Sequence, residues 1–125
     1  MPTDAPDIVA AIVIAVLLLG CSLILDVLAR ALAQGRFGRN VAVGIRIAST
    51  LRSPEAWSRG HAAARRPAHL TAVTTAVIAL VSPFATGLPA LYAVTICAWV
   101  AVFLIGVVAS TLAAHRAAVQ VHRGS

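Results

Sequence analysis

The sequence predicts an all-α integral membrane protein, with three transmembrane helices and an amphipathic interfacial helix in the loop between the first and the second. Three observations carry that prediction. Only 11% of the 125 residues are charged and the mean hydropathy is +0.92, whereas ordinary soluble domains carry about 25% charged residues. Leu70 to Ala114 is an unbroken run without Asp, Glu, Lys, Arg or His. All 10 basic residues are arginine, and eight of them (30, 36, 39, 46, 52, 59, 65 and 66) fall between that run and an earlier apolar one. A single membrane domain over residues 1–125 accounts for the whole chain.

The first span covers about residues 8–28. Ile8 to Leu25 is uncharged, and eighteen residues make about 27 Å of helix, just enough for a hydrocarbon core of about 30 Å. The "LLGC" within it, Leu18 to Cys21, looks like a lipoprotein cleavage box. No positive n-region precedes it, however, and "SLIL" continues the apolar run, so an uncleaved helix is expected. Asp26 lies at the end of this span. A carboxylate in a membrane is a reason to look for proton or cation coupling, but Arg30 follows four residues later, and an i,i+4 ion pair at the boundary is the expected arrangement.

The basic loop, residues 29–69, reads in pieces. The first helix continues through "DVLARALAQ" until Gly35 and Gly38 offer a stop. Asn40 is a turn former, and Gly44 breaks a β-branched run that makes a poor helix. Ser53 as N-cap, Pro54 at the first position and Glu55 in the first turn then start a helix that Pro67 is expected to close. Trp57, His61, Ala64 and Ala68 share one face of it, while Arg52, Glu55, Arg59 and Arg66 take another. Such a helix suits the headgroup layer, with its arginines on anionic lipid and Trp57 as an interface anchor. The alternative is that Trp57 and His61 pack against the helix ends.

The charge-free run is too long for one crossing and is expected to fold as a hairpin, spans about 70–86 and 89–113, turning at "SPFATGLP". Thr71, Thr75 and Ala79 stripe one span; Ala98, Gly106, Ser110 and Ala114 stripe the other. Stripes of small residues let helices approach closely. Packing within the chain is the first use expected of them, and contact with a second copy the other. Cys21 and Cys97 read as small packing residues rather than a disulfide or metal pair.

Short cytoplasmic loops carry the Lys/Arg excess of membrane proteins. That rule places the loop and the tail (114–125, with Arg116 and Arg123) in the cytoplasm, and the amino terminus, with Asp4 and Asp7, outside. It also accounts for a pI near 11.4 without nucleic acid as a partner. His61, His69, His115 and His122 form no i,i+4 pair with one another, so no metal is expected. Four acids, no Ser–His–acid set and no phosphate-cradling loop leave an enzyme little to work with, and no cofactor is expected either.

Within the loop, Asn40, Gly44-Ile45-Arg46, Thr50, and Trp57 followed four residues later by His61 stand in register with a motif of the SdpI-like family of bacterial membrane immunity proteins, which the chain resembles. That motif reads Asn, three residues, Gly-Ile-Arg, then a Thr, with Trp and His further on. By motif the resemblance covers about the first seventy residues, and by architecture the whole chain. It departs where the family often has Thr-Pro after the Arg and this chain has Ile47-Ala48, and in lacking room for the additional membrane region of better-known members. The resemblance implies protection of a producer cell from a membrane-active peptide toxin and, in the best-known case, tethering of a repressor at the membrane. It marks Asn40, Gly44, Arg46, Thr50, Trp57 and His61 as the partner, ligand or lipid interface. The competing expectation is a small accessory subunit of a larger membrane complex. A transporter fits least, because no charge lies deep in a span.

Overall fold

The computed structural model describes residues 6–40 and 42–124; Asp4 lies outside the described residues. Helix α1 runs Ile8–Ala33, α2 Ala48–Leu51, α3 Pro54–Val81 and α4 Pro89–Arg123, with a 3-10 turn at Ser82–Ala85 between the last two. No strand occurs among the described residues. Three helices are long and apolar enough to cross a membrane, and at 1.5 Å per residue α1, α3 and α4 measure about 39, 42 and 52 Å. The last two therefore extend well past a hydrocarbon core of about 30 Å.

The ends of α1 are set by local chemistry. The Asp7 carboxylate accepts from the Ala10 N–H at 2.8 Å, capping the amino end. At the other end Gly35 takes φ +77°, Gly35 N–H donates to Leu32 O, and Arg36 N–H donates to Ala31 O, which is a Schellman stop. Gly35 thus ends the helix as the sequence reading expected.

The start of α3 also follows the sequence, with the Ser53 hydroxyl accepting from the Ala56 N–H at 3.0 Å and Pro54 at the first position. Its expected end at Pro67 does not occur. The amphipathic segment and the second span are one 28-residue helix with Pro67 inside it. A proline in a helix interior lacks an N–H for the carbonyl four residues back and costs about 3 kcal/mol. Here the buried stripe Trp57, His61, Ala64, Ala68, Thr71, Thr75 and Ala79 continues through it unbroken, so packing on both sides of Pro67 outweighs the local break.

Helix α3 is central, with α1 packed along one side of it and α4 along another, while the backbones of α1 and α4 do not approach each other. Small side chains permit this. A Cβ on Gly106 would overlap the Thr71 side chain, which marks a close approach of α3 and α4. Between α1 and α3 the fully buried hydroxyls of Ser22 and Thr75 share a hydrogen bond of 2.7 Å. Whichever donates across, the other hydroxyl can turn to its own helix, at Leu18 O or Thr71 O. Ala11, Ala85 and Tyr92 close the hairpin end, with Ile96 against them.

The outward faces carry exposed large apolar residues such as Val16, Leu17, Leu80, Leu104 and Ile105, the surface a lipid solvent requires. Cys21 and Cys97 lie on these faces as free, exposed thiols. They are not the packing residues the sequence suggested: hydropathy places a residue in a span but does not say which way it faces.

Candidate functional site

Residues 36–40 and 42–53 form a cap that joins α1 to the start of α3 and reaches α4 at His115, and the motif residues knit it together. The Asn40 side chain is fully engaged by nearby backbone. Its Oδ1 accepts from Ala42 N–H at 2.9 Å and Val43 N–H at 2.6 Å, while its Nδ2 donates to Gly38 O at 2.8 Å and Val43 O at 3.1 Å. Arg46 Nε then donates to the Asn40 carbonyl at 2.8 Å, closing the turn. Thr50, fully buried, donates its hydroxyl to Ile45 O at 2.7 Å or Ile47 O at 3.1 Å and accepts from Ile47 N–H at 3.2 Å. One threonine thus ties the strand-like approach to the first turn of α2.

Trp57 and His61 fix this loop to α3. The indole N–H of Trp57 donates to Phe37 O at 2.9 Å, and its ring lies 4.2 Å from that of His61. His61 Nε2 accepts from the Ile45 N–H at 2.8 Å, so it carries no proton. Nδ1 therefore holds the proton and donates it to Trp57 O at 2.8 Å, which makes the ring a neutral connector with both nitrogens engaged. Trp57 and His61 are each 3% exposed, so the headgroup-anchor geometry expected for Trp57 gives way to packing inside the cap. Gly44 makes this approach possible: it takes φ +112°, and a Cβ there would lie 2.8 Å from both His61 Nε2 and the Trp57 ring.

The structure therefore brings together all six motif residues. Other ties had no local signal in the sequence. Ser49 Oγ and His115 Nδ1 hydrogen-bond at 2.9 Å across 66 residues, binding α2 to α4. Gly60 sits where a Cβ would meet Thr50 at 2.9 Å and Ala114 O at 3.2 Å. Asp26 pairs with Arg30 at 3.0 Å, and its other oxygen accepts from His69 Nδ1 at 2.8 Å, a link from α1 to α3. Sequence spacing reveals the first partner because it is four residues away, and conceals the second.

What the cap leaves outward is charge. Arg36, Arg39, Arg46 and Arg52 are exposed, and no acid occurs from Val27 to Pro54. Arg39 Nη1 is steadied by Leu51 O at 3.1 Å, as Arg46 is by Asn40 O, so two of these guanidinium groups are held to the cap backbone. Beneath the cap, where α1 and α4 part around α3, lies a cavity of about 230 Å³ lined by Leu25, Leu28 and Leu32 of α1, Ala64 and Ala68 of α3 and Val107 of α4, with Gly44, Ile45 and His61 at its cap end. Among the described residues no group of three or more His, Cys, Asp or Glu is arranged to hold a metal ion.

The family model of the SdpI/YfhL protein family matches residues 36–114. The match begins with the cap and ends at Ala114, taking in α2, α3 and most of α4, and it leaves α1 outside. It is displaced toward the carboxy terminus from the stretch that the motif alone marked. Comparison with curated proteins and with solved structures gave no match.

Proposed function

The chain belongs to the SdpI/YfhL protein family, and on that premise we propose that it is an immunity-type protein of the bacterial plasma membrane, protecting its cell from a membrane-active peptide. The observation that supports a binding role is the cap. Its motif residues are engaged by one another and by the backbone, so the fold presents the exposed arginines on an ordered support. A surface organised before its partner arrives loses less entropy on binding than a mobile loop does. Its chemistry suits an acidic segment of a cytoplasmic regulator or of a peptide, and anionic headgroups when neither is present.

In this reading the amino terminus is outside and the cap and carboxy terminus are cytoplasmic, in keeping with the arginine distribution. No catalytic step is part of this reading, and His61, beneath the cap, is buried and neutral with both nitrogens bonded. An accessory subunit would need faces on which to dock, and the small-residue stripes are the candidates. Thr71, Thr75, Ala79, Gly106, Ser110 and Ala114 are instead buried within the chain and Ala98 is half-buried, which favours the immunity reading.

The test is protection. The gene is expressed in a sensitive bacterial host and the cells are challenged with a panel of membrane-active peptides. Survival is expected to rise against at least one of them and to fall when Arg36, Arg39, Arg46 and Arg52 are all changed to Gln. No protection at verified membrane expression overturns the proposal.

A further inference from the structure

The cavity under the cap has a position and a lining that specify an occupant. Counting about 20 residues from the hairpin along α3 and α4, and from Ile8 along α1, puts the hydrocarbon edge near Arg66, Ala109 and Val27. Leu25, Ala68 and Val107 therefore sit on the lipid side of that edge, and Leu32 and His61 on the cap side. The cavity crosses the boundary, and it lies where the backbones of α1 and α4 stay apart.

Its polar lining has no free side-chain donor, and only the Ser110 and Thr111 hydroxyl oxygens keep lone pairs that could accept. His61 uses both nitrogens, Ser110 Oγ donates to Gly106 O at 2.8 Å, and Thr111 Oγ1 donates to Val107 O at 2.9 Å. A peptide backbone drawn into this space would bring C=O groups for which the side chains offer no donor, whereas an aliphatic chain brings no polar group at all. A chain entering from the leaflet on the cap side carries its headgroup to the level of the cap, where the exposed arginines meet no acid between Val27 and Pro54. That is charge complementarity for an anionic headgroup.

We propose that this cavity is a binding site for one acyl chain of an anionic phospholipid, whose phosphate is met by the arginines of the cap. The site holds a lipid as part of the protein's working form. It does not rest on the toxin reading.

The experiment uses the full chain in nanodiscs of equal phosphatidylglycerol and phosphatidylcholine, with retained lipid measured by native mass spectrometry after release into detergent. Phosphatidylglycerol is expected to be retained in preference. Ala29→Phe and Thr111→Phe, at half-buried lining positions, fill the cavity and are expected to lower retention about tenfold, whereas Leu104→Phe on the outward face leaves it unchanged. Arg36→Gln with Arg46→Gln is expected to lower the preference for phosphatidylglycerol about fivefold per arginine while chain binding persists.

A second measurement does not depend on the lining variants folding. With Trp99→Phe leaving Trp57 as the only tryptophan, phosphatidylglycerol brominated on its acyl chain is expected to quench Trp57, which lies against Gly44 and His61 at the cap end of the cavity. Absent quenching, retention unchanged in folded Ala29→Phe and Thr111→Phe, or a co-purifying peptide displaced by those changes, overturns the proposal.

Discussion

At the scale of single residues, the cap shows why a motif can be legible while its use is not. The resemblance to the family motif picks out Asn40, Gly44, Arg46, Thr50, Trp57 and His61, but most of their partners are backbone groups, Phe37 O, Ile45 N–H and Asn40 O, whose positions depend on the folded loop. Gly44 is the sharpest case, because its φ of +112° and the nearness of His61 and Trp57 each oppose a side chain. Gly44→Ala is expected to cost about 2–4 kcal/mol of stability, the sum of backbone strain and a forced shift of two packed rings. Gly38 has open space around it and no positive φ, so Gly38→Ala should be close to neutral. Thermal unfolding of both variants in the same detergent tests the contrast, and equal midpoints would remove the steric role given to Gly44.

At the scale of elements, the existence of every long helix was legible and two boundaries were not: α3 runs through Pro67, and α4 continues past residue 113 to Arg123. Hydropathy and caps located α1, the start of α3 and the hairpin, because those signals are local. The continuation of α3 through Pro67 depends on what Ala64 and Ala68 touch on either side of it, which no window of sequence displays. This makes Pro67→Ala informative. The native helix would regain a hydrogen bond and lose a clash, worth about 3 kcal/mol, against about 1 kcal/mol from a less restricted unfolded chain. A net gain of about 2 kcal/mol is the expected sign and size, read from denaturant unfolding in lipid-like micelles. A loss of stability would mean that the helix needs a bend at Pro67 to make its contacts.

At the scale of the whole molecule, charge, cap and exposed apolar faces describe one object with two different ends. The cap end carries Arg36, Arg39, Arg46 and Arg52, with Arg116 and Arg123 on the part of α4 that runs beyond the core. The hairpin end, Ser82 to Pro89, carries no charge, and Asp7 caps the helix that begins on that same side. Moving the hairpin across a membrane during insertion therefore requires no arginine to cross, whereas the opposite orientation would carry the whole basic cap through. Single cysteines report the outcome directly. Cys21 and Cys97 are free and exposed, so replacing both with Ser should leave the packing intact. In that background Gly87→Cys, at a turn position with open space around it, is expected to react with a membrane-impermeant maleimide on intact cells, and Arg46→Cys only after the membrane is permeabilised. The reverse pattern would put the cap outside, facing peptides in the medium rather than a regulator in the cytoplasm.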